Sequence, residues 1–197
     1  MARRAVSETD NVGPIPTPEA CIIRHMAIEN YKLIKDYFNV NTNWDEVTNL
    51  LYTNSKGSQS RPAVLWFKIK NRRIFDQIPD LLAFSEKINK DFDSVYLEKC
   101  RYYDDWENGR CNCRGIWHMD GPVISLDDET MSAHKDMRDS AYLQILGNSY
   151  WKLDDKDTVV LAPGDVLFVS KDVTHEVWGQ GPRMGVLFMA LNPVKLP

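Results

Sequence analysis

From Arg110 onward, short β-favouring runs alternate with turn signals roughly every eight to twelve residues, the spacing of an antiparallel sandwich or barrel. The strands this predicts are 111–119, 122–126, 131–136, 140–146, 149–153, 157–161, 165–169, 174–178 and 183–191. In such strands alternate side chains point to opposite faces, so polar residues two apart are aimed into the same space.

His134 and Asp136 have that spacing, on the strand expected at 131–136. His175 follows a turn and an apolar run, Leu161-Ala162-Pro163-Gly164-Asp165-Val166-Leu167-Phe168-Val169, which reads as a buried strand. Two histidines and one carboxylate on facing strands form half a shell for a divalent metal, with positions left open, a donor set typical of non-haem Fe(II) oxygenases. Carrying the same parity forward turns Ser140, Tyr142, Gln144 and Leu146 inward and Ala141, Leu143 and Ile145 outward. The outward set is the more apolar, which implies a working cavity inside and a second layer packed outside. A rival pair, His118 and Asp120, lies just after Trp117. Gly121-Pro122 is expected to break its strand, so the His134–Asp136 pair is preferred and His118 is placed at the cavity wall.

Upstream the pattern changes. Residues 1–16 read as a flexible arm and 17–197 as a single domain, helical to about residue 93 and β-rich over about 94–191. Thr17-Pro18-Glu19 has the form of a helix start, and apolar residues at helical spacing extend that helix to Phe38, with His25 as an ordinary helix histidine. Further helices are expected at 43–54 and from Pro79 to Phe92, a polar loop at 55–60, and strands at 62–69 and 94–103. Helices first and strands later make the expected class α+β.

The chain of 197 residues, 43% hydrophobic, suits one domain with a full core. A net charge of −4 gives no basic field for nucleic acid. No run approaches the roughly 20 apolar residues of a membrane span, and no apolar stretch follows the basic Met1-Ala2-Arg3-Arg4 as a secretory signal needs. Cys21, Cys100, Cys111 and Cys113 lack zinc-site spacing and read as reduced thiols, so a cytoplasmic location is expected. The expected partner is a small-molecule or peptide substrate, without membrane or nucleic acid. A dimer is allowed.

The stretch from Met131 to Ala190 resembles the cupin superfamily. His134-x-Asp136, three residues, Ser140, six residues and Gly147 keep the spacing of the first cupin motif, with Asp136 for its second His and Ser140 for its Glu. Gly164 and His175 match the second motif, while Ser170 and Asp172 replace its Pro and Gly. The His-x-Asp variant with Gln144, Gly147 and Trp151 looks like JmjC-type Fe(II)/2-oxoglutarate oxygenases.

That resemblance implies a cupin-type double-stranded β-helix, or jelly roll, with N-terminal helices packed outside. It implies Fe(II) held by His134, Asp136 and His175, with 2-oxoglutarate as cosubstrate. Arg183 is the expected grip for the distal carboxylate, with Tyr142 and Ser149 as further cosubstrate-binding residues; Ser149 stands where JmjC-type enzymes have a cation, and Gly185 where the pattern has Ser or Thr. Gln144, His118 and Trp151 are expected in the substrate pocket. Two other readings stay open. One is a metal cupin acting without 2-oxoglutarate, such as a small-molecule dioxygenase or isomerase, which the serine at 149 favours. The other is a non-catalytic cupin binding module.

Overall fold

The structure is a computed structural model that describes residues 30–61, 64–69, 76–91, 117–126, 128 and 131–190. The expected arm, the start of the first helix with His25, the strand at 94–103 and all four cysteines lie outside these residues.

Eleven strands and two helices follow in chain order: β1 (Tyr31–Ile34), α1 (Trp44–Asn54), β2 (Ser55–Arg61), β3 (Val64–Ile69), α2 (Pro79–Asp91), β4 (Trp117–Ser125), β5 (Met131–His134), β6 (Ser140–Leu146), β7 (Ser149–Leu153), β8 (Asp157–Leu161), β9 (Val166–Val169), β10 (His175–Gly179) and β11 (Arg183–Ala190). They form a five-stranded sheet β1-β9-β6-β11-β4, a four-stranded sheet β5-β10-β7-β8 and a separate β2-β3 pair. All pairings among the described residues are antiparallel.

Two apolar layers result. One lies between the sheets, where Tyr142, Leu167 and Val169 of the larger sheet meet Trp151, Leu153, Leu161 and Val177 of the smaller. The other lies behind the larger sheet, where Val47 and Leu51 of α1 and Leu81, Phe84 and Ile88 of α2 cover Ala141, Leu143, Ile145 and Phe188. Phe84 is central to it, meeting Tyr37, Phe38 and Phe188 edge-on at centroid distances of 5.9, 5.7 and 5.0 Å. β6 thus sends Tyr142 to the inner layer and Ala141, Leu143 and Ile145 to the helices, as its alternation implies. Leu146 departs from that parity and packs on the helix side. A bulge is the cause: Gln144 pairs with Gly185 but Leu146 with Met184, which leaves Ile145 as the extra residue.

Three local expectations need correction. The helix expected to reach Phe38 gives way, in its described part, to strand β1, paired with β9 from Tyr31↔Val169 to Ile34↔Val166. Asn30 and Asp36 bracket β1 in left-handed conformations, φ 66° and 50°, which no helix continues through. Within β1, Tyr31 and Leu33 pack on the inner layer and Ile34 on the outer one, the two-residue alternation of a strand. The polar stretch 55–60 is not a loop but part of β2, because β3 offers it a strand to pair with. Gly121-Pro122 does not end β4. The strand runs through it and absorbs the irregularity in a bulge at Asp120, since Met119 pairs with Phe188 and Gly121 with Leu187.

The entry to β9 is fixed by a buried carboxylate. Asp165 accepts bonds from the amides of Ala162 (2.8 Å) and Asp36 (3.0 Å) and from Lys35 Nζ (2.7 Å). Burial pushes this carboxyl's pKa up, but the Lys35 bond and the two amides outweigh it and hold the pKa below the usual carboxylate value. A pKa lower folded than unfolded contributes stability above about pH 4, and this contribution is lost as pH falls through the folded value. Asp165→Asn is therefore expected to cost about 1.5–3 kcal/mol at neutral pH. The gap from wild type should shrink as the pH drops below about 4. Urea melts at neutral and acid pH check this; an unchanged gap would contradict it.

Candidate metal centre

The pairing of β5 with β10 sets His134 directly opposite His175. Asp136 is not on β5, which ends at His134; it sits two residues on, in the turn toward β6. The turn still brings its carboxylate between the rings, with Oδ1 3.7 Å from His134 Nε2 and Oδ2 3.7 Å from His175 Nε2. One ligand atom from each of the three residues lies within 4.8 Å of the others. The rings are 4.3 Å apart at 58°.

Each imidazole is oriented by its own backbone. His134 Nδ1 lies 2.7 Å from the Ser132 carbonyl oxygen, and His175 Nδ1 lies 3.2 Å from that of Val173. A carbonyl only accepts, so each Nδ1 carries a proton, which leaves Nε2 as the ring atom that faces Asp136 and can act as a ligand. That is the tautomer a metal ligand needs, with the second nitrogen held as metal-bound histidines usually are. Burial also pushes the His175 pKa down, and it prevails over the opposing pull of Asp136 and the Val173 bond, so the ring is neutral near pH 7. Two imidazoles and one carboxylate on one side of an open space fit a divalent transition metal, with coordination positions left over.

The cluster opens into a cavity of about 260 Å³ between the two sheets. The smaller sheet contributes His175, Trp151, Val177 and Met131, and the larger Tyr142, Val123, Leu187 and Arg183. Trp151 stacks beside His175, with ring centres 5.5 Å apart at 29°, and meets Tyr142 at 4.9 Å and 60°. Burial pushes the Tyr142 hydroxyl's pKa up, against a smaller pull from Arg183, so it stays a protonated donor. Arg183 is nearly buried, and its guanidinium lies against Gly179 of β10, where a Cβ would collide with it. A Cβ on Gly185 would likewise overlap the ring and hydroxyl of Tyr142. The tyrosine thus fills the space a side chain at 185 would take. Two missing side chains, one on each facing sheet, make room for a cation and a hydroxyl in the same cavity.

The structure brings His134, Asp136, His175, Tyr142, Trp151 and Arg183 together at this cavity. It places three other expected site residues elsewhere. His118 is buried on β4 opposite Met189, at the far end from Val123 and Ser125, about 16 Å along a strand from the cavity wall. Neither it nor Asp120 belongs to the metal-type cluster found among the described residues. Gln144 and Ser149 are fully buried, bonded to each other and to their neighbours. His118, Gln144 and Ser149 are thus not among the residues that line this cavity.

Sequence reasoning missed the wall residues Val123, Leu187 and Met131, and the role of Gly179. Leu187 has the parity of Arg183 and was findable from β11 alone. Val123 was hidden by the expectation that Gly121-Pro122 ends the strand. The close fit of Tyr142 over Gly185 gives an expected outcome: Gly185→Ala should lower stability by about 1–3 kcal/mol through overpacking. Gly185→Ala with Tyr142→Phe should recover little, because the ring itself is in the way. Thermal melts of the single and double variants measure both; a neutral Gly185→Ala would contradict the packing described.

No protein-family model matches the chain, and no curated protein does. Solved structures do. One structure of YcfD, a ribosomal oxygenase from Escherichia coli, matches at 14% identity over 83% of this chain and 48% of that one, TM-score 0.51. A second, an X-ray structure of E. coli YcfD, matches at 12% identity over 91% and 54%, TM-score 0.51. A cupin superfamily protein from Desulfitobacterium hafniense DCB-2 matches at 22% identity over 39% of this chain and 69% of its own, TM-score 0.36. The chain spans about half the length of YcfD. At these identities the likeness is one of fold: the described core is an antiparallel β-sandwich similar to that of YcfD.

Proposed function

We propose that this protein is an Fe(II)- and 2-oxoglutarate-dependent oxygenase, a hydroxylase acting on a small-molecule or peptide substrate. The sandwich is read as the jelly roll of that class, and the protein as a cytoplasmic one. The observation that carries the reading is the pair of imidazoles. Both are fixed by backbone carbonyls in the Nε2-ligand tautomer and face one carboxylate at the head of a cavity containing a buried arginine. YcfD, whose fold the chain resembles, is a ribosomal oxygenase, which agrees with the class and leaves the substrate open.

In this reading His134, Asp136 and His175 hold Fe(II), which when bound supplies the redox chemistry that couples 2-oxoglutarate decarboxylation by O2 to oxygenation of a C–H bond. Arg183 presents a planar two-pronged donor to the far carboxylate of the keto acid, and the Tyr142 hydroxyl adds one more hydrogen bond. Trp151, Val123, Val177 and Leu187 form an apolar wall that keeps water from the reacting atoms and strengthens each polar contact inside. Met131, about half exposed, edges the opening through which a substrate would enter.

Ser149 offers no cation at the position where JmjC-type enzymes have one, and its hydroxyl is committed elsewhere. Arg183 therefore carries the keto-acid reading. Anaerobic titration of the Fe(II)-loaded protein with 2-oxoglutarate should give a visible absorption band. Arg183→Ala should weaken that binding by about 1.5–3 kcal/mol, roughly one to two powers of ten, with iron content unchanged. Iron uptake without any response to 2-oxoglutarate would favour a metal cupin acting without a keto acid. No iron uptake would leave a binding module.

A further inference from the structure

Four side chains form a continuous chain that runs from a buried amide to the cavity lining. Gln144 begins it. Its Nε2 donates to the Leu146 carbonyl (2.7 Å) and to that of Met184 (3.2 Å), the two residues that pair across the β6–β11 bulge. Both contacts are acceptors, so the amide has one workable orientation and its Oε1 must face the other way, toward Ser149. The Ser149 hydroxyl donates to that Oε1 at 2.7 Å. Its lone proton is then used, and the oxygen faces Trp151 as an acceptor. Trp151 Nε1–H donates to it at 3.0 Å. An indole has one polar atom, so this bond fixes the rotation of the ring system within its plane of packing. The indole lies beside His175 at 5.5 Å and 29°.

We infer that Ser149 is a positioning residue for the metal centre: its hydroxyl fixes the Trp151 indole, and the indole holds the His175 ring in the orientation that points Nε2 at Asp136. This rests on the metal-binding reading above. The His175 ring is held at its Nδ1 by the Val173 carbonyl at 3.2 Å and lies between two other rings, His134 at 4.3 Å and Trp151 at 5.5 Å. The flat face of Trp151 adds a lateral support to that bond. Ser149 and Gln144 are both fully buried, so no water replaces a lost partner without rearrangement. A hydroxyl whose position on the hairpin suggested a cosubstrate ligand acts instead through the tryptophan two residues on.

Cobalt(II) is the probe, because its visible absorption reports the geometry of its ligands as well as its binding. Wild type, Ser149→Ala, Trp151→Phe and the double variant are titrated with cobalt(II), and each is melted without metal. Both single variants are expected to bind cobalt about tenfold more weakly, with an altered absorption band. The double variant should bind no more weakly than either single one, because both remove the same bond. Trp151→Phe keeps an aromatic ring and loses only the N–H and part of the face, so it decides the matter if Ser149→Ala does not fold. A lowered melting temperature with wild-type cobalt affinity and band would mean that Ser149 only supports the hairpin, and would overturn the inference. Additive losses in the double variant would also overturn it. Failure of the wild type itself to take up cobalt would instead remove the metal reading, and this inference with it.

Discussion

The register of one short strand pair carries the site. β5 and β10 place His134 across from His175, and a slip of one residue would turn one of the two rings to the opposite face of the sheet. The hydrophobic alternation of β10 and β7 resists that slip, because His175, Val177 and Gly179 are buried on the same face as Trp151 and Leu153. The carboxylate needs no strand of its own. It hangs in the turn after β5, where the chain must reverse to reach β6, and that turn delivers it between the rings.

The rest of the sandwich keeps the space in front of those rings open. A five-stranded sheet backed by helices gives its apolar outer face to α1 and α2, which frees its inner face to carry Tyr142, Gly185 and Arg183. An arginine inside a protein is tolerated only with partners or with a ligand to meet it. Here two glycines make the room, one beneath the guanidinium and one beneath the tyrosine. Gly147 plays a different part. Its φ of 65° closes the β6–β7 turn, and a side chain there would strike the Pro182 carbonyl in the β10–β11 turn. The turn that leads into Ser149 and Trp151 is therefore pressed against the turn that leads into Arg183.

Much of this was legible in the sequence, and the rest failed for physical reasons. β6, β7 and β8 are bounded by turn residues and match the expected ranges, and the apolar–polar alternation of Ser140–Leu146 correctly assigned the apolar faces as far as Ile145. At Leu146 a bulge reversed the parity, and a bulge leaves no mark that composition reveals. Tyr31–Ile34 has helical spacing on paper, yet its partner β9 lies far along the chain, and that long-range pairing overrides local propensity. His134, Asp136 and His175 stood out as a candidate set because their residue types and spacing are chemical; that they lie together is a fact of register. His118-Met119-Asp120 has the same local spacing and lies outside the cluster, since its strand enters the sheet at the wrong end. Ser149 and Gln144 meet between the sheets and bond each other, and strand parity does not show that such polar groups pair off instead of lining the cavity.

The central claim is that this metal centre consists of His134, Asp136 and His175 and that the other His-x-Asp sequence plays no part in it. The most direct measurement is iron content after anaerobic loading of His134→Ala and His118→Ala, each first shown to be folded by its melting curve. The account predicts that His134→Ala loses the bound iron and that His118→Ala keeps about one iron per chain. Iron kept by His134→Ala and lost from His118→Ala would contradict it, and would move the site to the far end of β4.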